Sequence, residues 1–193
     1  MRKFLKLSIF FFLAVLAVVS VRVQIPAPAK IETLFSTGSP RVLILYHPSR
    51  DTGFSDDLSL AFAKGLGDAG MAVDRATLNA ATPISPIGYA GIAVVSNTYY
   101  WTPDLPTLWY LGRARWNNLP AVALIGGAGA THRSQKMLNL AVSAAGGRLL
   151  YSQSYWLLRP NDESRNDASN RSIALEQATS LGSLTAAKLK KGG

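Results

Sequence analysis

Between residues 41 and 70 the apolar positions change rhythm once. Val42-Leu43-Ile44-Leu45-Tyr46 is an unbroken run, as in a parallel strand covered on both faces. After the polar loop His47 to Ser55, apolar residues return at Leu58, Ala61, Phe62, Gly65, Leu66 and Ala69, the spacing of one helix face. The alternation then repeats. Met71–Leu78 predicts a second strand and Tyr89–Val95 a third, followed by a helix from Asp104 to Trp116 with Leu105, Leu108, Trp109 and Leu111 on its apolar face. Ala121–Ile125 reads as the fourth strand, and the next helix carries Ser134, Leu138, Ala141, Val142 and Ala145 on one face. Arg148–Tyr151 reads as the fifth strand, Tyr155–Leu158 extends it or adds an edge, and a last helix runs from Ile173 to Lys191. Strands alternating with helices in this way predict an α/β fold, a doubly wound five-stranded parallel sheet.

The amino terminus breaks the rhythm. Arg2, Lys3 and Lys6 lead into the uncharged run Leu7 to Val21, which Arg22 ends. A bilayer span needs roughly 20 residues, which Phe4 to Val23 supplies if Lys6 and Arg22 reach to the interfaces. Residues 1–23 are therefore expected to be one hydrophobic helix, a single-pass membrane anchor. The competing expectation is a cleaved secretory signal with Ala27-Pro28-Ala29 as its site, against which the proline counts. Cations before the run outnumber those just after it, which favours an outward, periplasmic domain. Residues 24–40, with Pro26, Pro28, Gly38 and Pro40, read as a linker, leaving 41–191 as the globular domain.

Composition narrows the chemistry. The 193 residues include no cysteine and only two histidines, His47 and His132, so disulfides, thiolate chemistry and a zinc site are not expected. The formal charge of +9 falls once residues 1–29 are set aside, and the remaining excess is spread along the chain. No clustered basic patch marks a nucleic-acid partner. The sequence has no G-x-S-x-G elbow, and Tyr46-His47 and Ser96-Asn97 lack the acidic cluster a receiver domain would need.

Three loops at the carboxyl ends of strands carry the candidate chemistry, at the edge where open α/β sheets bind ligands. The first holds Ser49, Arg50, Thr52, Gly53, Phe54 and Ser55 before a helix, where unpaired N–H groups and the helix dipole suit an anion. The second holds Thr98, Tyr99, Tyr100 and Trp101, an aromatic cluster that something should cover. The third is Gly126-Gly127-Ala128-Gly129-Ala130-Thr131-His132. It lacks the last glycine of a dinucleotide fingerprint, yet lets a ligand approach the backbone closely.

Together these loops resemble those of the flavodoxin family. Thr52-Gly53-Phe54-Ser55 is similar to the end of the family's [ST]-x-T-G-x-[ST] phosphate loop, with Arg50 where the first hydroxyl residue is expected. Ser96, Thr98 and Tyr99 fit its S-P-T-Y pattern, with Asn97 in place of the proline. The resemblance covers residues 41–190. It implies a flavodoxin-like sheet and FMN as cofactor, with the phosphate held by Ser49, Arg50, Thr52, Gly53 and Ser55 and the ring stacked on Tyr99 or Tyr100. Trp101 would shield the ring edge, while Gly126, Gly127, Gly129 and His132 flank it. The function implied is a membrane-tethered redox protein, either an electron carrier or an NAD(P)H-dependent reductase, with an unidentified redox partner. The alternative is a flavodoxin-fold binding or scaffold module without flavin, which Arg50 and Asn97 keep open.

Overall fold

The computed structural model describes residues 4, 8–12, 14–15, 18, 21, 24–49, 52–79, 84–165 and 167–191. From residue 31 onward the elements are β1 (Ile31–Phe35), β2 (Arg41–Tyr46), α1 (Phe54–Asp68), β3 (Ala72–Thr77), β4 (Gly91–Tyr99), β5 (Thr102–Pro103), α2 (Leu105–Arg113), β6 (Leu119–Gly127), α3 (His132–Ala144), β7 (Gly147–Trp156) and α4 (Asn170–Lys191). The strands form one sheet in the order β1-β3-β2-β4-β6-β7, with the short β5 paired to β4. Strands β3, β2, β4, β6 and β7 are parallel, which is the expected doubly wound core.

The unbroken apolar run of β2 now has its reason. Val42, Ile44 and Tyr46 join Phe62, Leu66, Val95 and Leu124 in the core beneath α1 and α4. Leu43 and Leu45 face the other way and join Val94, Tyr110, Ile125 and Leu138 beneath α2 and α3. A two-residue period with both faces apolar leaves no room for polar alternation. On the first face α1 and α4 approach closely at two glycines. A Cβ on Gly65 would lie 1.9 Å from the Thr179 carbonyl oxygen, and one on Gly182 would lie 2.3 Å from that of Phe62.

Four expectations need correction. The sheet has seven strands rather than five, because β1 pairs antiparallel with β3 and β5 antiparallel with β4. The stretch 24–40 is more than a tether, since it supplies β1 and a strap across the carboxyl edge of the sheet. In that strap His47 Nε2 donates to the Ile25 carbonyl at 3.1 Å, Leu105 N donates to Gln24 Oε1 at 2.8 Å, and Lys30 N donates to Thr77 Oγ1 at 2.9 Å. Within the strap, Ala27 is buried.

The membrane anchor at residues 1–23, with the location it implied, is not borne out: among the described residues no helix is long and apolar enough to cross a membrane. The uncharged run Leu7 to Val21 is shorter than the roughly 20 residues a span needs, and from Gln24 the chain lies against the fold instead of leading away from it. Finally, Leu105 and Trp109, expected on the packed face of their helix, are exposed, while Trp116 is buried.

Candidate functional site

The loop after β2 is built around buried hydroxyls. Ser49 Oγ donates to Asn97 Oδ1 and accepts from the Ser55 N–H at 3.2 Å. Ser55 Oγ donates to the His47 carbonyl at 2.6 Å, and Asn97 Nδ2 donates to that carbonyl at 3.0 Å. Both serines and Asn97 are buried. Their hydroxyls therefore fasten the loop to the end of β4 and do not face outward. Asn97, which departs from the flavodoxin pattern, is the residue that makes this fastening.

Gly53 is the N-cap of α1, its φ of 65° in the left-handed region, and no side chain caps the helix. The Phe54 N–H reaches Thr52 Oγ1 at 3.3 Å, and Thr52 is exposed at the rim. Asp56 and Asp57 lie in the first turn, where carboxylates favour the helix dipole but oppose an incoming anion. Each has a cation: Arg75 Nη2 lies 3.2 Å from Asp56, and Arg171 Nε donates to Asp57 at 2.8 Å. Arg171 also donates to the Thr52 carbonyl at 3.0 Å, so the first turn of α4 brings a guanidinium to the rim of the loop. Arg50, the cation expected there, lies outside the described residues.

Behind this loop Asp104 caps α2. Its carboxylate accepts from Thr107 N at 2.9 Å, Thr107 Oγ1 at 2.6 Å, Ser96 Oγ at 2.7 Å and Asn97 N at 2.8 Å. Asp104 and His47 are fully buried, with His47 Nδ1 3.7 Å from Asp104 Oδ1 and without a hydrogen-bond partner.

The aromatic loop after β4 is a β-hairpin, with Tyr99 paired to Thr102 and Thr98 to Pro103. Its two turn residues, Tyr100 at φ 51° and Trp101 at φ 59°, occupy positions that a two-residue turn of this hand usually gives to Asn-Gly. Both are more than half exposed.

Two cavities open on this edge. A cleft of about 180 Å³ lies between the loops, lined by Ser49, Thr52, Thr98, Tyr99, Gly126 and Gly127 among others. Thr98 Oγ1 is buried there with no hydrogen-bond partner. A Cβ on Gly127 would lie 3.1 Å from Thr98 Cβ and 2.7 Å from Thr131 Cγ2, so only glycine keeps this wall open. The second cavity, about 550 Å³, lies between Trp101, Gly129, His132 and Trp156.

The structure thus brings Ser49, Thr52, Thr98, Tyr99, Gly126 and Gly127 to one cleft and places Trp101, Gly129 and His132 in another. Tyr100 lines neither cavity, and Phe54, buried in the core cluster, lines the floor side of the cleft as well. As a flavin site the cleft offers an orphaned hydroxyl and a glycine wall to a polar ring edge. On the phosphate side it offers Thr52, the start of α1 and Arg171. It is smaller than the roughly 300–1,000 Å³ of whole-ligand pockets, so most of a bound cofactor would lie over the rim. The sequence marks Asn97 only as a departure from the flavodoxin pattern and gives no role to Asp104 or Arg171. Asp104 alone had a visible signal, an acidic residue before Leu105-Pro106 at a helix start.

No family model and no curated protein matches the chain. Solved structures do. A WrbA-like flavodoxin from Agrobacterium tumefaciens shares 16% identity at a TM-score of 0.57, over 79% of this chain and 99% of that one. An NAD(P)H:quinone oxidoreductase from Methanothermobacter marburgensis shares 17% at 0.53, over 76% and 98%. Rubredoxin oxygen:oxidoreductase from Desulfovibrio gigas shares 15% at 0.60, over 81% of this chain and 37% of that one. At these identities the likeness establishes a flavodoxin-like α/β fold.

Proposed function

We propose that this chain is an FMN-binding redox protein. The observation that carries the reading is the Thr98 hydroxyl, buried without a partner in a cleft between three loops at the point where the sheet order reverses. A buried hydroxyl left unpaired costs about 1–3 kcal/mol, a cost that a ligand able to hydrogen-bond there would remove. The similarity to a flavodoxin and to an NAD(P)H:quinone oxidoreductase supports the same reading.

Bound FMN would supply reversible electron or hydride transfer. Thr98 and the backbone of Gly126 and Gly127 would hold the ring's polar edge, and Tyr99, which lines the cleft, its flat face. Thr52, the start of α1 and Arg171 would meet the phosphate. Ser49 and Ser55 would act indirectly, by holding the loop in shape.

The second reading, a flavin-free binding module on the same fold, is favoured by the hydroxyls of Ser49 and Ser55, which are already paired within the protein. Titration of the purified chain into FMN, followed by quenching of flavin fluorescence, separates the two. Micromolar uptake is expected, and Thr98→Val should weaken it about fivefold, the loss of one hydrogen bond of about 1 kcal/mol. Colourless protein that takes up no FMN at micromolar concentration would leave the second reading standing.

A further inference from the structure

We propose that the pocket between the hairpin tip and the end of β7 binds a planar aromatic anion, an aryl carboxylate or sulfonate. At about 550 Å³ it is large enough for a whole small molecule. It is separate from the cleft of the flavin reading, goes beyond that reading, and does not depend on it.

Two indoles stand on its walls. Trp156 is held rigidly: its Nε1 donates to Thr131 Oγ1 at 2.8 Å, its backbone N–H donates to Asn161 Oδ1 at 2.8 Å, and its carbonyl accepts from Asn161 Nδ2 at 2.7 Å. With its ring nitrogen paired to the protein, its remaining capacity is a flat apolar face. Trp101 stands on the hairpin tip, 59% exposed. An exposed indole on a backbone of positive φ costs local strain and leaves apolar area wet, and a stacking ligand would recover that area.

The charge of the pocket has one sign. Arg133 and Arg159 line it, and no carboxylate among the described residues does. Arg159 lies over the Trp156 ring, 4.9 Å from its centroid. Among the described residues Arg41, Arg75, Arg165 and Arg171 have carboxylate partners, whereas Arg133 and Arg159, like Arg113, Arg115 and Arg148, have no ion pair. The start of α3 adds its positive end on the same side: the hydroxyl of its N-cap, Thr131, accepts from Trp156 and does not cap the helix. Two ring faces and two unpaired planar cations match a ligand that is flat, apolar in body and negative at one edge.

The test uses the full chain with 2-naphthoate as the anion and 2-naphthalenemethanol as its uncharged counterpart. Affinity is read by calorimetry, and location by the indole N–H signals of the four tryptophans. Naphthoate should bind at submillimolar concentration and about tenfold or more tighter than the alcohol, the margin of one charge-assisted contact. The Trp101 and Trp156 signals should move while those of Trp109 and Trp116 stay. Arg133→Ala with Arg159→Ala should remove the preference for the anion, and Trp101→Ala, at an exposed position, should weaken both ligands. No binding at millimolar concentration, equal binding of the two compounds, or movement of Trp109 instead would overturn the proposal. So would tighter binding of AMP, whose phosphate is set apart from its ring. Because FMN uptake is measured separately, the pocket and the flavin reading can fail independently.

Discussion

The loop after β2 and the pocket beside β7 share the carboxyl edge of the sheet and differ in how their polar groups are used. In the loop, Ser49, Ser55, Asn97 and Asp104 satisfy one another and the backbone, all of them buried. In the pocket, two tryptophans and two arginines face a cavity, and the arginines have no ion pair among the described residues. Closed polar networks fix a backbone in place, and open ones meet a ligand. The likeness to flavodoxins draws attention to the loop, whereas the unspent binding capacity lies in the cleft behind Thr98 and in the pocket. Conserving a loop shape and presenting donors to a ligand are different tasks, and here different residues perform them.

The largest effect should come from the closed side. Asp104→Ala removes the cap of α2 and the acceptor of four hydrogen bonds, leaving the Asn97 N–H without its carboxylate and the buried Ser96 hydroxyl with only the Asn97 carbonyl at 3.3 Å. A loss of about 3 kcal/mol or more is expected, read as a fall in the urea midpoint. A loss below about 1 kcal/mol would mean that water replaces the carboxylate, and the closed network would lose its meaning.

A middle-sized effect comes from the opposite edge, which supplies the baseline for pH. Burial, and after it the hydrogen bond to Asp74, pushes the Tyr89 phenol up to about 12. A raised folded value favours the protonated form, so this stability is complete below about pH 10 and is lost as pH rises toward 12. For Asp74 burial acts upward, but hydrogen bonds from Arg41, Thr33 and Tyr89 outweigh it and hold the carboxyl low. Its contribution is therefore present above its unfolded value near 4 and is lost as pH falls through the folded one. Tyr89→Phe should cost about 1 kcal/mol at neutral pH and flatten the alkaline limb of a stability–pH curve. An unchanged limb would place that titration elsewhere.

The smallest effect on stability belongs to the open side. Trp101→Gly relieves a positive φ while adding freedom to the unfolded chain, two changes of about 1 kcal/mol with opposite sign. The thermal midpoint should stay near that of the wild type, while naphthoate binding falls. Loss of more than about 1 kcal/mol would make Trp101 part of the framework and weaken the contrast between the two regions.

The parallel core was legible because burying both faces of a strand leaves a pattern that survives without any contact information. The runs at Val42–Tyr46 and Ala121–Ile125 became β2 and the middle of β6. Strand β1 was not legible: Ile31-Glu32-Thr33-Leu34-Phe35 lies beyond a proline-rich stretch and pairs with a partner some 40 residues away, which no local pattern encodes. At the site, the sequence supplied residue types but not their directions. Nothing in Thr52-Gly53-Phe54-Ser55 says that Ser55 turns inward to His47, or that Arg171 arrives from α4. Trp101 and Tyr99 are neighbours in the chain, yet a tight hairpin sends them to different cavities.

The strap at residues 24–30 has a consequence in the time domain of biosynthesis. Among the described residues it is the first part of the chain to leave the ribosome next to the fold, and its contacts lie far ahead: Lys30 waits 47 residues for Thr77, and Gln24 waits 81 for Leu105. At 5–20 residues per second, a typical elongation rate, that is a delay of roughly 4–16 seconds between the strap's emergence and its last partner's. That interval is long enough for β2, α1 and β3 to assemble before the strap's last partner exists. The earliest residues of the domain thus wait for the middle of the chain before their seat on the carboxyl edge is complete.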